Sequence, residues 1–262
     1  MKSRLKATWL SQGVDLMLKE VMGVIMTAGE MLLTSGAEVY RAEETMERMG
    51  RALGYTVEAY VTPTGIMATV AKDGRYLTKI RRVRMRSQDL GKIAGVNQIS
   101  RELAAGLLDL AETKNRLNQL KSPTYNLPTQ FFAVMVASLS LTFMLGGRQL
   151  ELVVAAGAGF LAYAVDYFLS RLSASTYLRS FAAAFVVASA ASSARLLLPN
   201  ISVPQVIVGG LMVLVPGVAM ASAVRDLVQG ELLSGVVRVV EAVAIAAALA
   251  AGSAVAVGFW RF

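Results

Sequence analysis

The chain has 262 residues, with a hydrophobic share of 55%, a charged share of 17% and a formal net charge of +8. Soluble domains average about 25% charged residues, so the composition excludes disordered, collagen-like and coiled-coil chains and argues against a single soluble globule. Cys and His are both absent, which excludes a disulfide framework, a thiolate nucleophile, an imidazole base and any Cys- or His-based metal site; no cofactor and no metal are expected.

The charge is unevenly placed. Residues 1–126 hold 32 charged side chains and residues 127–262 hold 12. The first part is composed like a soluble domain and the second like membrane protein. The expected fold is therefore an α-helical integral membrane protein: five transmembrane helices (127–262) preceded by a small α+β cytoplasmic domain (1–126). The first thirteen residues are basic and polar, so no signal peptide is expected.

Residues 15–34 carry Leu16, Val21, Val24, Ile25, Ala28, Met31 and Leu32 at helical spacing. Ser35-Gly36 interrupts them. Residues 37–53 read as a second helix that opens with Glu38, Glu43 and Glu44 and closes with Arg48 and Arg51, an order that suits the helix dipole. Gly54 is a plausible C-terminal cap. Alternating β-branched runs follow at 55–62, 65–71 and 75–83, with Asp73-Gly74 as a hairpin signal. Arg81, Arg82, Arg84 and Arg86 form the densest basic run. In a strand, Arg82, Arg84 and Arg86 share a face. That face suits an anionic lipid or solute, or equally a solvated edge strand protected by charge. Without interleaved aromatic residues the run gives little support to nucleic-acid binding. Residues 89–120 return to helical spacing and read as one long helix leading towards the membrane, and Ser122-Pro123 and Leu127-Pro128 mark the boundary between the two parts.

Crossing about 30 Å of hydrocarbon takes about 20 apolar residues. Candidate spans lie at about 127–145, 152–170, 179–198, 201–224 and 236–260, joined by short loops. An N-terminus in the cytoplasm keeps the basic domain, Arg171, Arg179, Arg225 and Arg238 inside. It leaves Arg148, Arg195 and Arg261 outside, with Trp260 as an interfacial anchor. The expected location is a bacterial inner (plasma) membrane, multi-pass, with the C-terminus outside. Runs of Ala, Gly and Ser in the spans suit close helix packing in lipid.

Ionisable groups in spans are costly and usually face the interior or a water path. Asp166, Arg225, Asp226, Arg238 and Glu241 all fall towards the cytoplasmic ends of their spans. They fit either an inner vestibule for a small polar solute or a set of helix-end ion pairs. Arg195, near an outer end, is expected to snorkel. Pro216-Gly217 lies inside the fourth span, where proline removes a backbone donor and kinks or breaks the helix. Broken helices at depth are tolerated where they line a cavity.

Leu32 to Arg41, with Ser35, Gly36 and Glu38 at its centre, followed by Glu43-Glu44, resembles the opening signature of the threonine/serine exporter family. Thr62-Pro63-Thr64-Gly65 resembles its strand motif. Val215-Pro216-Gly217, Arg225-Asp226-Leu227, Arg238 and Glu241 resemble its membrane signature. The resemblance implies secondary export of small polar solutes: threonine or serine driven by the proton-motive force, or succinate in a split, two-protein branch. Five spans resemble the split form and imply a second, smaller membrane subunit, a homo-oligomer, or both, with the lipid bilayer as the other partner and no nucleic acid. If export is proton-coupled, the absence of His leaves Glu241, Asp166 or Asp226 to carry the proton.

Two other readings stay open. A membrane-anchored enzyme lacks the usual acid–base groups, a nucleophile elbow and a phosphate loop. A regulatory or sensing subunit that forms no transport path would tolerate neutral residues at Arg238 and Glu241.

Overall fold

The computed structural model describes residues 2–84, 87–122 and 124–260, with side chains from Leu16 onward. The chain divides into two compact units, residues 1–123 with 221–239, and residues 124–220 with 240–262.

In the first unit, α1 (Lys2–Thr34) runs further towards the N-terminus than its apolar pattern. From Leu18 to Leu33 it presents a continuous buried face that includes Met22, Ile25 and Met26. α2 (Val39–Ala52) buries Val39, Ala42, Met46 and Met49 against the same core. Three antiparallel strands follow in the order β1 (Thr56–Thr62), β2 (Gly65–Lys72), β3 (Arg75–Arg82). Val57, Val61, Ile66, Ala68 and Val70 alternate into the core. Asp73 and Gly74 turn the β2–β3 hairpin with φ values of 50° and 75°, as a type I′ turn demands.

The basic run departs from expectation. β3 ends at Arg82 and Val83 is buried, so the shared arginine face does not extend along the run. Arg86 lies outside the described residues, and Arg81 is ion-paired with Glu30. The single helix expected over 89–120 is in fact two, α3 (Leu90–Ala104) and α4 (Leu110–Gln119). Gly106 adopts φ 73°, and Asp109 then caps α4 through the Glu112 amide at 2.7 Å. Leu103, Leu107 and Leu110 keep a helical rhythm across this break, which hid it in the sequence.

The second unit contains α5 (Leu127–Met144), α6 (Gln149–Arg171), α7 (Thr176–Leu197) and α8 (Val203–Leu211), with most of α10 (Leu232–Phe259). Its core is made of small residues, among them Ala155, Ala158, Ala162, Ala183, Ala184 and Ala191. A Cβ at Gly209 of α8 would lie 1.8 Å from Thr142 Oγ1 and 3.2 Å from the Ser138 carbonyl oxygen, so the two helices meet backbone to side chain. Glu151 in the first turn of α6 is buried and accepts from the amides of Arg148 (2.6 Å) and Ser202 (3.0 Å), which pins the start of α8. Phe132, Phe143, Val153 and Phe168 are exposed. Such a surface is a liability in water and ordinary in lipid.

α5, α6, α7 and α10 are long and apolar enough to cross a membrane. The fourth predicted span is broken. α8 continues through a 3₁₀ turn (Met212–Leu214), and α9 (Gly217–Val228) leaves it at 60°. Pro216 sits in the break, as its missing amide requires. Counting the bent pair as one span gives five.

Candidate functional site

The site lies wholly in the first unit and starts at the Ser35-Gly36 corner. Gly36 adopts φ +85°, and a Cβ there would meet the Ser87 carbonyl oxygen at 3.0 Å. The amides of Gly36 and Ala37 donate back to Leu33 (3.2 Å) and Leu32 (3.0 Å), closing α1. The Ser87 and Asp89 amides donate to the carbonyls of Thr34 (2.8 Å) and Ser35 (3.1 Å), so the corner is held from two sides.

This geometry presents Ala37, Glu38 and Val39 to the end of α9 and the start of α10. Glu38 occupies the N-cap position of α2, yet its side chain does not cap the helix. Glu38 Oε1 instead takes Arg225 Nη1 at 2.8 Å, and its other oxygen lies 3.8 Å from Arg41. The cap comes from 187 residues away, where Asp226 Oδ1 accepts from the Val39 amide at 3.2 Å. Arg238 completes the ladder. Its Nε lies 3.1 Å from Asp226 Oδ2, an ion-pair contact rather than an aligned hydrogen bond, and its Nη2 donates to the Ala37 carbonyl oxygen at 2.7 Å.

Burial divides the ladder. The Asp226 and Arg238 side chains are 0% and 5% exposed, whereas Arg225 is 65% exposed on a Glu38 that is only 8% exposed. The inner pair is locked, and the outer pair has one partner free to move into solvent. Burial pushes the Glu38 carboxyl up, but the Arg225 hydrogen bond and the nearby Arg41 charge outweigh it and hold the group below the usual carboxylate range.

Glu43 was read in the sequence as part of the signature stretch but not singled out as a site residue. It accepts from the Val61 amide at 2.7 Å, half-buried between α2 and β1. Burial pushes its carboxyl up to about 7; the Val61 hydrogen bond opposes this, and the charges of Glu231, Glu47 and Asp226 add to it. The signal was present, since Glu43 stands three residues before buried Met46 and four after buried Val39.

The remaining predicted residues fall elsewhere. Glu44 pairs with Arg48 one turn along α2, on its exposed side. Thr62, Pro63, Thr64 and Gly65 form the β1–β2 turn, where Thr62 Oγ1 donates to the Gly65 carbonyl oxygen (3.3 Å) and the Val83 amide to that of Thr64 (2.8 Å). In the second unit, Asp166 lies 3.6 Å from Arg179. Pro216 and Gly217 form the bend, and Glu241 lies on α10. No group of three or more carboxylates fit to hold a metal ion occurs among the described residues.

The ladder thus joins the two segments picked out in the sequence, 35–41 and 225–238. Residues 23–260 match the family model described as "Putative threonine/serine exporter". The chain belongs to the threonine/serine exporter family. Family membership and the apolar helices make it a multi-pass membrane transport protein rather than an enzyme. It is 30% identical over 234 residues to the "Probable succinate transporter subunit YjjP" of Klebsiella aerogenes, covering 87% of this chain and 90% of that protein. It is 27% identical over 251 residues to the YjjP of Escherichia coli K12, covering 92% and 95%. A "Probable threonine/serine exporter" of Mycobacterium tuberculosis is 22% identical over 244 residues, which is 91% of this exporter-family chain but 46% of that longer protein. No solved structure matches the chain.

Proposed function

We propose that the chain is one subunit of a two-protein secondary exporter of small polar metabolites, and that the Glu38–Arg225 and Asp226–Arg238 ladder is the cytoplasmic end of its solute path. In this reading residues 1–126 are cytoplasmic, the bent α8–α9 pair counts as the fourth of five spans, and the C-terminus is outside, the orientation that keeps most Lys and Arg inside. A second, smaller membrane subunit supplies the other half of the path, since paired repeats are the common plan of secondary transporters. The subunit names of two relatives, matched over 90% and 95% of their own length, support this.

The observation that carries the reading is the asymmetry of the ladder. Arg225 is mostly exposed yet bonded to a buried carboxylate. Threonine, serine and succinate all bear a carboxylate, which Arg225 can take in a bidentate grip. For an amino acid, Glu38 then receives the ammonium group, and the ladder stays neutral. For succinate, the second carboxylate needs a further cation, and Arg41 is the one at hand.

Coupling to the proton-motive force falls to carboxylates. Asp166, Asp226 and Glu241 are the candidates within the membrane part, and Glu43, with a carboxyl at about 7, joins them from the cytoplasmic side.

The test is flux from proteoliposomes holding this chain with its partner subunit, loaded with labelled serine, threonine or succinate. The reading expects one of the three to leave faster when a proton gradient is imposed, and expects neither subunit alone to suffice. A chain that moves none of them, while the partner alone moves one, is a regulator rather than a conduit.

A further inference from the structure

Away from the ladder, the first unit carries a second cluster of charge. α1, β3 and α4 enclose a groove of about 270 Å³ lined by Lys19, Glu20, Gly23, Val24, Thr27, Arg81, Lys114, Leu117 and Asn118. Three cations from three different elements line it beside the Glu20 carboxylate, and a second carboxylate, Glu30, neutralises Arg81 from the side, which leaves an excess of one positive charge. Among the described residues Lys19 and Lys114 make no ion pair, and Glu30 engages Arg81 through Nη1. Holding the unpaired Lys19 and Lys114 beside Arg81 on a concave surface costs electrostatic energy that a bound anion recovers, and a concave wall focuses the field.

The rest of the lining suits a ligand. Val24 and Leu117 are buried and give an apolar floor, and the Asn118 amide adds neutral hydrogen-bonding capacity. Gly23 sits mid-helix, where glycine costs about 1 kcal/mol relative to alanine. A Cβ there would meet nothing within 4 Å. No close packing requires this glycine, and its missing side chain keeps the groove open.

We propose that this groove binds a small dianion, a dicarboxylate or a phosphate-bearing metabolite, at a site separate from the ladder. The volume is below the usual range for drug-sized ligands, about 300–1,000 Å³, and suits a metabolite of a few carbons. Lys19 and Lys114 take one anionic group as point charges, and Arg81, with donors beyond Nη1, takes the other in a planar fork. Glu20 repels a dianion and sets a limit on affinity.

The test is equilibrium titration of the purified full chain in detergent with succinate and, separately, inorganic phosphate, with serine as a zwitterionic control. The expected result is saturable binding of at least one dianion, weakening with added salt, and none of serine at this groove. Gly23→Leu fills the groove without touching a charge, and the pair Lys19→Gln/Lys114→Gln removes charge without filling it. Each should weaken binding about tenfold or more, the worth of one good charge-assisted contact. Glu20→Gln should strengthen it about threefold. Binding of succinate but not phosphate makes the ligand a dicarboxylate, and the converse makes it a phosphate. If neither dianion binds, or if binding stays within twofold in both weakening variants, the proposal is overturned. Because the ladder residues are untouched, this result is independent of whether the chain transports serine, threonine or succinate.

Discussion

Replacing Arg238 by Met keeps the length of the side chain and removes its charge. Asp226 then remains as a buried carboxylate with no cation 3.1 Å away, and the Ala37 carbonyl loses a 2.7 Å donor. Breaking a buried pair by removing one partner costs about 3–5 kcal/mol, because the surviving charge stays desolvated. For a cooperative unit of this size each kcal/mol moves the midpoint by about 2–4 °C, so a fall of roughly 6–20 °C is expected. Asp226→Asn should cost a similar amount. Asn keeps a side-chain oxygen for the Val39 amide, so the cap survives and only the charge is lost. The double variant leaves no unpaired charge and should recover at least half of the loss. The assay is thermal unfolding in detergent of the four proteins as a double-mutant cycle, with a coupling of about 2 kcal/mol or more expected. Two single variants that melt within 1 °C of the parent, or losses that simply add, would refute the buried ladder.

Glu43→Gln should remove a pH dependence. The folded carboxyl sits at about 7 and the unfolded one near the ordinary 4.5, so the stability it contributes is full below pH 4.5 and is lost as pH rises through 7. The variant should match the parent in acid and exceed it by about 1–2 kcal/mol at pH 8, after allowing for solvent screening of a half-buried group. Denaturant midpoints at pH 5, 6, 7 and 8 read this directly, and parallel pH profiles contradict it. Gly209→Ala places a Cβ 1.8 Å from Thr142 Oγ1 and should cost about 1–3 kcal/mol. Adding Thr142→Ala should restore most of the melting temperature, and a Gly209→Ala protein as stable as the parent argues against this packing. Pro216→Ala returns the missing amide to the 60° bend. Spin labels on α8 and α9 should report a straighter pair, with transport falling at least tenfold; unchanged distances and flux would show that the bend does not depend on proline.

Local physics was legible in the sequence. The Asp73-Gly74 hairpin, the apolar spans and the break at Pro216 each follow from a few neighbouring residues, and each stands in the structure. The α3–α4 break was not, because Leu103, Leu107 and Leu110 preserve a helical period across it. The ladder was legible only as separate pieces. Arg225, Asp226 and Arg238 stood out as charges in apolar sequence, and Glu38 as an acid opening a helix. Nothing local announces that Asp226 caps Val39 across 187 residues, or that Arg238 reaches the Ala37 carbonyl across 201. Glu43 was not singled out, for the opposite reason. It reads as one more acid in a helix's first turns, and its unusual carboxyl depends on burial against β1.

Arg225→Gln separates function from stability most cleanly. Arg225 is itself 65% exposed, but its loss leaves the Glu38 carboxylate, 8% exposed, with Arg41 at 3.8 Å as its remaining cation, so the melting point should fall by a few degrees, less than for Arg238→Met. Flux of the transported solute, measured in proteoliposomes with the partner subunit, should nevertheless fall at least tenfold if Arg225 receives the carboxylate. A stable Arg225→Gln protein that carries solute at the parent rate contradicts the ladder as the solute's cytoplasmic port.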